Sequence, residues 1–220
     1  MPTILCIETS AALCSVVVVN NHQIYYAEER KHFAHAEVLT SLITTCISNA
    51  GITMKELNAV AISGGPGSYT GLRIGSSTAK GLCYALDIPL IALDTLQITT
   101  AAAQQKFPDT QQFWAMTDAR RMEVYHAVYD KDLQPLTTTV SGIITDANFR
   151  PDVINIDTLL CGDGAAKAVE HLQLKDAEVV ANASAMCALA EQAYDAKHFA
   201  DKAYYEPFYL KQANITVSKS

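Results

Sequence analysis

The chain is short of the residues that mark several common activities, and each shortage closes a class. It has no C-x-x-C pair: Cys6, Cys14, Cys46, Cys83, Cys161 and Cys187 stand singly among apolar or small residues. That is the pattern of buried, reduced thiols in a cytosolic protein rather than of a disulfide frame or a zinc ribbon. It has no H-E-x-x-H, so a zinc-peptidase ligand set is missing. Basic residues never cluster beyond Arg120-Arg121, and 23 acidic against 16 basic side chains leave a net charge of −7. A chain so balanced does not grip a phosphate backbone by itself. No apolar run approaches the ~18 residues of a membrane span, and no charged-then-apolar leader opens the sequence. A soluble, unexported, cytoplasmic protein is the expectation.

What is present is ample core. Half of the 220 residues are hydrophobic, enough for one large domain or two small lobes. Thr3–Ile7, Cys14–Val19 and His22–Ala27 are β-rich runs separated by short polar breaks, which predicts three consecutive strands in a meander. Leu39, Leu42, Ile43, Cys46, Ile47 and Ala50 form one apolar stripe at helical spacing, and Gly51 stands where a glycine ends such a helix. Thr53-Met54-Lys55-Glu56 matches a capping box. Ala59–Ile62 then reads as a buried strand.

The next stretch, Ser63-Gly64-Gly65-Pro66-Gly67-Ser68-Tyr69-Thr70-Gly71-Leu72-Arg73-Ile74-Gly75, is a glycine-rich turn opening a helix that runs to about Leu86. Backbone N–H groups at such a place can meet an anion. The loop has no lysine in the P-loop position, however, and no nucleophile–base pair. Gly67, Gly71, Gly75, Ala79 and Cys83 recur every fourth residue and make a row of small side chains, a contact face within the fold or between chains. Arg73 sits in the first helical turn against the macrodipole, so a carboxylate is expected for it, within the chain or across an interface. His32 and His35 are three apart, with no third metal ligand nearby, and read as solvated or hydrogen-bonded histidines.

Pro89 and Leu90–Leu93 predict a further strand, ending at Asp94-Thr95. A second half begins near residue 105. Phe113–Thr117 and Glu123–Tyr129 are strands joined by Asp118–Met122; residues 135–152 are polar, Pro-punctuated and without a period. Thr158–Cys161 enters Gly162-Asp163-Gly164, a plain strand-to-helix turn in preference to a second phosphate turn, before a helix at about 165–172. Ser184 is placed as the cap of a last helix reaching about His198. Strand–strand–strand–helix recurs in both halves, which predicts two related α/β lobes. The N-terminal lobe is drawn at 1–104, completed by about 200–220, and the C-terminal lobe at 105–199.

Three segments resemble the bacterial TsaB (YeaZ) family: Ile4-Leu5-Cys6-Ile7-Glu8-Thr9-Ser10, the loop Gly64–Gly75, and Asp118-Ala119-Arg120 with Glu123-Val124-Tyr125. The tail Pro207-Phe208-Tyr209-Leu210-Lys211 is similar to the family's closing P-x-Y-L-R. The resemblance implies the actin/hexokinase/Hsp70-like (ribonuclease H-like) duplicated fold, with a mixed β-sheet flanked by helices in each lobe. It implies a role in making threonylcarbamoyladenosine at position 37 of tRNAs that read ANN codons, as the partner of the catalytic paralogue TsaD, with TsaE as an associated ATPase. TsaD-like chains carry H-x-x-x-H after the strand matching Leu90–Leu93; here Asp94-Thr95-Leu96-Gln97-Ile98-Thr99-Thr100 holds no histidine. A non-catalytic subunit follows, with an ATP-binding or ATP-hydrolysing enzyme as the alternative and a metallopeptidase behind it. Glu8, Thr9, Ser10, Gly64, Gly65 and Gly67 become vestigial nucleotide turns. No metal and no cofactor is assigned to this chain alone, ATP and ADP belonging to the wider complex. The family's two helices pack on a second chain, which makes His35, Val38, Leu39, Leu42, Gly71, Leu72, Arg73, Gly75, Ser76, Ala79 and Lys80 the expected interface. That interface would be shared by a homodimer of the isolated chain and the TsaD heterodimer, with tRNA reached only through the complex.

Overall fold

The structure, a computed structural model, describes residues 1–21, 23–29 and 35–210. His32 and the C-terminal stretch from Lys211 on lie outside the described residues. The expected meander opens the chain: β1 (Ile4–Glu8), β2 (Cys14–Asn20) and β3 (Gln23–Glu29) pair antiparallel in sequence. α1 (His35–Asn49) crosses to β4 (Ala59–Ser63), which lies parallel to β1. α2 (Tyr69–Leu86) crosses to β5 (Leu90–Leu93), parallel to β4. The first sheet therefore runs β3-β2-β1-β4-β5.

Its central strands are buried on both faces, and strand alternation divides them between two cores. Leu5, Ile7, Val16, Val18, Val60 and Ile62 pack under α1 and α2. Ile4, Cys6, Val17, Val19, Ala59 and Ala61 face the last helix, α5 (Ala183–Asp195). α1 ends as its glycine predicted: Gly51 has φ +66°, its N–H meets the Ser48 carbonyl, and Ile52 N–H meets that of Ile47, a Schellman closure. At Thr53 the Glu56 carboxylate accepts from both the backbone N–H (2.8 Å) and the hydroxyl (2.9 Å), around a single 3₁₀ turn.

α3 (Thr95–Lys106) was not legible as a helix. From Thr95 to Ala103 it is buried except for half-buried Gln97, and only Gln105 and Lys106 in its last turn are exposed, so its sequence carries no polar stripe along its length. The hydroxyls of Thr99 and Thr100 donate to the carbonyls four residues back, both at 2.8 Å. The second sheet then forms from β6 (Gln112–Asp118), β7 (Glu123–Asp130), β8 (Val140–Ile143), β9 (Leu159–Cys161) and β10 (Lys175–Asp176), in the order β10-β9-β6-β7-β8. α4 (Val169–Leu172) and a 3₁₀ turn at Ala165–Lys167 follow β9. Read from β8, this sheet repeats the first: third, second, first, fourth and fifth strand, with the first three antiparallel and the last two parallel. α3 packs on the second sheet and against α5, while α5 packs on the first, so each half lends a helix toward the other.

The cap of α5 is Asn182, not Ser184. The Asn182 side chain accepts from Ala185 N–H at 3.1 Å, and Ser15 Oγ on β2 takes Ala183 N–H at 2.9 Å, which fixes the start two residues earlier; the helix stops at Asp195. Among the described residues no helix is long and apolar enough to cross a membrane.

The second sheet's outer core is aromatic. Trp114, His126 and Phe149 meet at ring separations of 4.8–5.6 Å, and Trp114 Nε1 donates to His126 Nδ1 at 3.1 Å. Burial lowers the His126 pKa from 6.5 to about 4. An unfolded chain thus binds a proton there below pH 6.5 that the folded chain refuses until about pH 4. This contribution holds above pH 6.5 and is lost on acidification, at up to ~1.4 kcal/mol per pH unit. His126→Asn keeps an acceptor for Trp114 and removes the titration. Urea unfolding of both proteins from pH 7 to 4 is expected to show a gap that shifts toward the variant as pH falls; parallel profiles would refute it.

Candidate functional site

The glycine loop lies where three parts of the chain converge. From below comes the turn after β1. The backbone N–H of Ser68 donates to Ser10 O at 2.6 Å, and Thr9 Oγ1 donates to Gly71 O at 2.9 Å. The first turns of α2 therefore lie directly on Thr9 and Ser10. A Cβ on Gly71 would stand 2.0 Å from Thr9 O, one on Gly75 2.3 Å from Thr9 Oγ1, and one on Gly67 2.7 Å from Ser10 O. Ala79 and Cys83 continue the row into the core. The row of small residues is thus taken up inside the chain, against its own β1 turn.

From the side comes the crossover into the second half. Thr95 N–H donates to Gly65 O at 2.9 Å and Gly65 N–H to Thr95 Oγ1 at 3.1 Å. Asp94 caps α3 through Gln97 N–H (2.9 Å) and accepts from Tyr129 OH on β7 (3.1 Å). Burial raises the Asp94 pKa.

From above comes the segment expected to complete the N-terminal lobe, though the sequence does not say which part of that lobe it meets. Residues 200–210 run as a strap over the loop and α2. Ala200 bridges to Leu90, Lys202 pairs with Asp87 at 2.8 Å, and Lys80 Nζ donates to the carbonyls of Ala203 (3.2 Å) and Tyr205 (3.0 Å). Phe208 N–H donates to Gly64 O at 2.7 Å. Gly65, at φ +107°, has the Phe208 carbonyl 2.5 Å from where its Cβ would be, and Gly64 meets the Tyr205 hydroxyl at 2.9 Å in the same way. The loop that opened as a candidate phosphate cradle is filled by the chain's own strap. A shallow pocket of about 230 Å³ remains beside it, between Ala92, Asp94 and Glu206.

The turn at Glu8 carries the other feature of note. Glu8 is fully buried; its Oε1 accepts from Ser10 N–H and from Ser63 Oγ (3.1 Å), while Oε2 and the Ser10 hydroxyl have no hydrogen-bond partner among the described residues. Burial, with a smaller push from the Asp163 charge across the cleft, raises its pKa. Asp163, in the turn after β9, keeps solvent access; its Oδ1 takes Asp118 N–H at 2.9 Å, and its own pKa is raised by its position in the cleft. Lys167 is engaged with Asp118. The glycine loop is covered by the Phe208 carbonyl, Glu8 is shut away from solvent beneath it, and among the described residues no three His, Cys or acidic side chains converge on a metal position. Gly162 serves as the plain turn: at φ +105° its Cβ would meet Met116 O at 2.1 Å.

The remaining expected site residues divide by face. Leu39, Leu72 and Ser76 are buried, Val38 and Leu42 half-buried. His35 is tucked in, with Nε2 2.9 Å from Ala11 O. Arg73, the fifth residue of α2, is exposed with its guanidinium 5.0 Å over the Tyr69 ring, and Tyr69 lies 4.8 Å from Tyr209 of the strap. The outer surfaces of α1 and α2 are short of charge. Glu37 is the one ionic side chain exposed on α1 and Arg73 the one on α2, among Ser, Thr, Ala and Gly with Tyr84, which is 82% exposed.

Fold and site together define a duplicated, two-lobed α/β protein of the TsaD type. Residues 28–158 match the family model described as "TsaD: tRNA N6-adenosine threonylcarbamoyltransferase". The chain is 37% identical over 176 residues to the tRNA threonylcarbamoyladenosine biosynthesis protein TsaB of Buchnera aphidicola (subsp. Schizaphis graminum), covering 78% of this chain and 83% of that one. It is 31% identical over 152 residues to TsaB of Escherichia coli K12, covering 69% of this chain and 64% of the relative, less than two thirds of its length. The solved YeaZ of Pseudomonas aeruginosa shares the fold, with a TM-score of 0.84 at 24% identity over 96% of this chain and 100% of that one. The chain belongs to the TsaB (YeaZ) family.

Two stability tests follow from the loop. Gly71→Ala forces a Cβ onto the Thr9 carbonyl and is expected to cost roughly 2–3 kcal/mol. Gly81→Ala, on the same helix with nothing within 4 Å, is expected to stabilise by about 0.5–1 kcal/mol. Equal urea midpoints for the two variants would deny the close approach. Glu8→Gln tests the buried carboxyl. An unfolded Glu8 loses its proton near 4.5 while the folded one holds it longer, so its cost grows as pH rises above 4.5. The Gln variant is expected to gain on the parent between pH 4.5 and 8; a parent that pulls ahead at pH 8 would reveal a cation held there.

Proposed function

We propose that this chain is a non-catalytic partner subunit in the threonylcarbamoylation of adenosine 37 in tRNAs that read ANN codons. It docks a TsaD-type catalytic subunit through the outer faces of α1 and α2. The observation that carries this reading is the charge-poor outer surface of those helices with an exposed arginine and exposed tyrosines on it, since interface cores are depleted of charge and enriched in Arg and Tyr. Because Gly71, Gly75 and Ala79 are taken up within the chain, a partner meets Val38, Leu42, Arg73 and their exposed neighbours.

Two further features support a subunit without its own chemistry. β5 runs into Asp94 and Thr95 with no histidine after it. Glu8 is buried beneath the glycine loop, and that loop is closed by the strap. The relatives named as tRNA threonylcarbamoyladenosine biosynthesis proteins supply the reaction class. In this reading a TsaE-type ATPase joins the pair, ATP and ADP are used by the wider complex, and tRNA is held mainly by the partner, since this chain carries −7. The isolated chain pairs with itself through the same helices, and the location is the cytoplasm.

Reconstitution decides it. With tRNA, threonine, bicarbonate and ATP, the purified chain alone is expected to leave adenosine 37 unmodified, and a TsaD-type paralogue with a TsaE-type ATPase to require it for turnover. Modification by this chain alone, followed by mass spectrometry of digested tRNA, would refute the scaffold role.

A further inference from the structure

Among the described residues no carboxylate pairs with Arg73: the ion pairs there join Lys167 to Asp118 and Lys202 to Asp87. Arg73 is the fifth residue of α2, past the first turn in which the sequence placed it, so the macrodipole does little to it. The side chain is nevertheless held. Its guanidinium lies over Tyr69, whose other neighbour is the Tyr209 ring. Tyr209 is set in turn by the strap, clipped at Gly64 by Phe208 N–H and along α2 by Lys80. The glycine loop, the strap and the arginine thus form one chain of contacts ending at the surface.

We propose that Arg73 is the anchor through which this chain takes a carboxylate of the TsaD-type subunit, and that Tyr209, held on the Gly64–Gly65 loop, is its positioning residue. The proposal rests on the docking role argued above and adds the residue that decides the partner. A planar guanidinium stacked on an aromatic ring has lost part of its freedom before binding, and it receives a carboxylate through two parallel N–H bonds. Arginine and tyrosine in a charge-poor surround are the usual hot-spot residues of protein interfaces. An RNA phosphate is the weaker match. Backbone binding needs several free cations, and the near one, Lys80, is committed to the strap carbonyls.

The test measures binding of the full-length chain to a purified TsaD-type paralogue by calorimetry at low and high salt. The parent is expected to bind with an affinity that falls as salt rises. Arg73→Gln is expected to bind at least tenfold more weakly, with a flatter salt slope and an unchanged thermal midpoint. Arg73→Lys should restore only part of the affinity. Tyr209→Leu should weaken binding in the parent background and do nothing further beside Arg73→Gln, a coupling that a merely structural role would not produce. If the Tyr209 variant does not fold, the two Arg73 variants decide alone. Parental affinity in Arg73→Gln overturns the anchor and leaves the docking role standing. A parent that does not bind the paralogue overturns both. Loss confined to self-association, or to tRNA binding by the assembled pair, also overturns it.

Discussion

The arrangement depends on one close approach, that of the first turns of α2 to the turn after β1. Helix and turn meet at backbone distance because Gly67, Gly71 and Gly75 have nothing to interpose, and the contact is polar: Thr9 Oγ1 to Gly71 O, Ser68 N–H to Ser10 O. Seating the helix this low has three consequences. Water is pressed away from Glu8, which leaves a carboxyl oxygen without a partner and raises its pKa. The preceding loop is turned outward at Gly64–Gly65, where the strap lies on it. The opposite side of α2 is presented as a continuous, charge-poor surface. A larger side chain at Gly71 would disturb all three together.

The second half solves the same problem in the same way. Its sheet repeats the strand order of the first, and its turn after β9 uses Gly162 and Gly164 to lie on Met116–Asp118 at the end of β6, as Gly67 and Gly71 lie on Thr9–Ser10. The halves differ in what the turn supports. The first is followed by an eighteen-residue helix, the second by a 3₁₀ turn and the four-residue α4. The exchange of α3 and α5 between the sheets, with Asp94 and Tyr129 bonded at the crossover, joins the two cores. The two longest helices, α1 and α2, belong to the first half alone.

Much of this was legible in the residues, for physical reasons that also explain the gaps. β1–β3 declared themselves through β-branched runs, α1 through its stripe and Gly51, and the two-lobed fold through repeated order and family motifs. α3 escaped because a helix without a polar stripe along its length has no period to detect. β8 and β10 are short edge strands whose pairing is set by β7 and β9 rather than by their own composition. The last cap went to Asn182 over Ser184 because Ser15, far away in sequence, fixes the helix start. At the site, the every-fourth-residue row correctly announced a close contact, but spacing could not say with what. The segment at about 200–220 was drawn with the N-terminal lobe, but its seat on Gly64–Gly65 was not legible for the same reason: the tail motif and the loop are separate in sequence, and only the fold brings them together.

Their meeting changes how a glycine-rich turn before a helix should be read. Such a turn offers N–H groups to an anion only while its open side is free. Here that side receives a carbonyl from Phe208, and Gly64 spends its own carbonyl on the same residue. The conformational freedom that lets a backbone approach a phosphate serves equally well to let a second backbone approach. What distinguishes the two uses is the charge nearby: a phosphate site gathers cations, whereas this loop has Glu8 beneath it and Asp94 and Glu206 beside it. The cations of α2 lie further along the helix, Lys80 holding the strap down and Arg73 facing out. The free cation of α2 thereby lies on the outer surface and not in the glycine loop, which is the arrangement the proposed docking role needs.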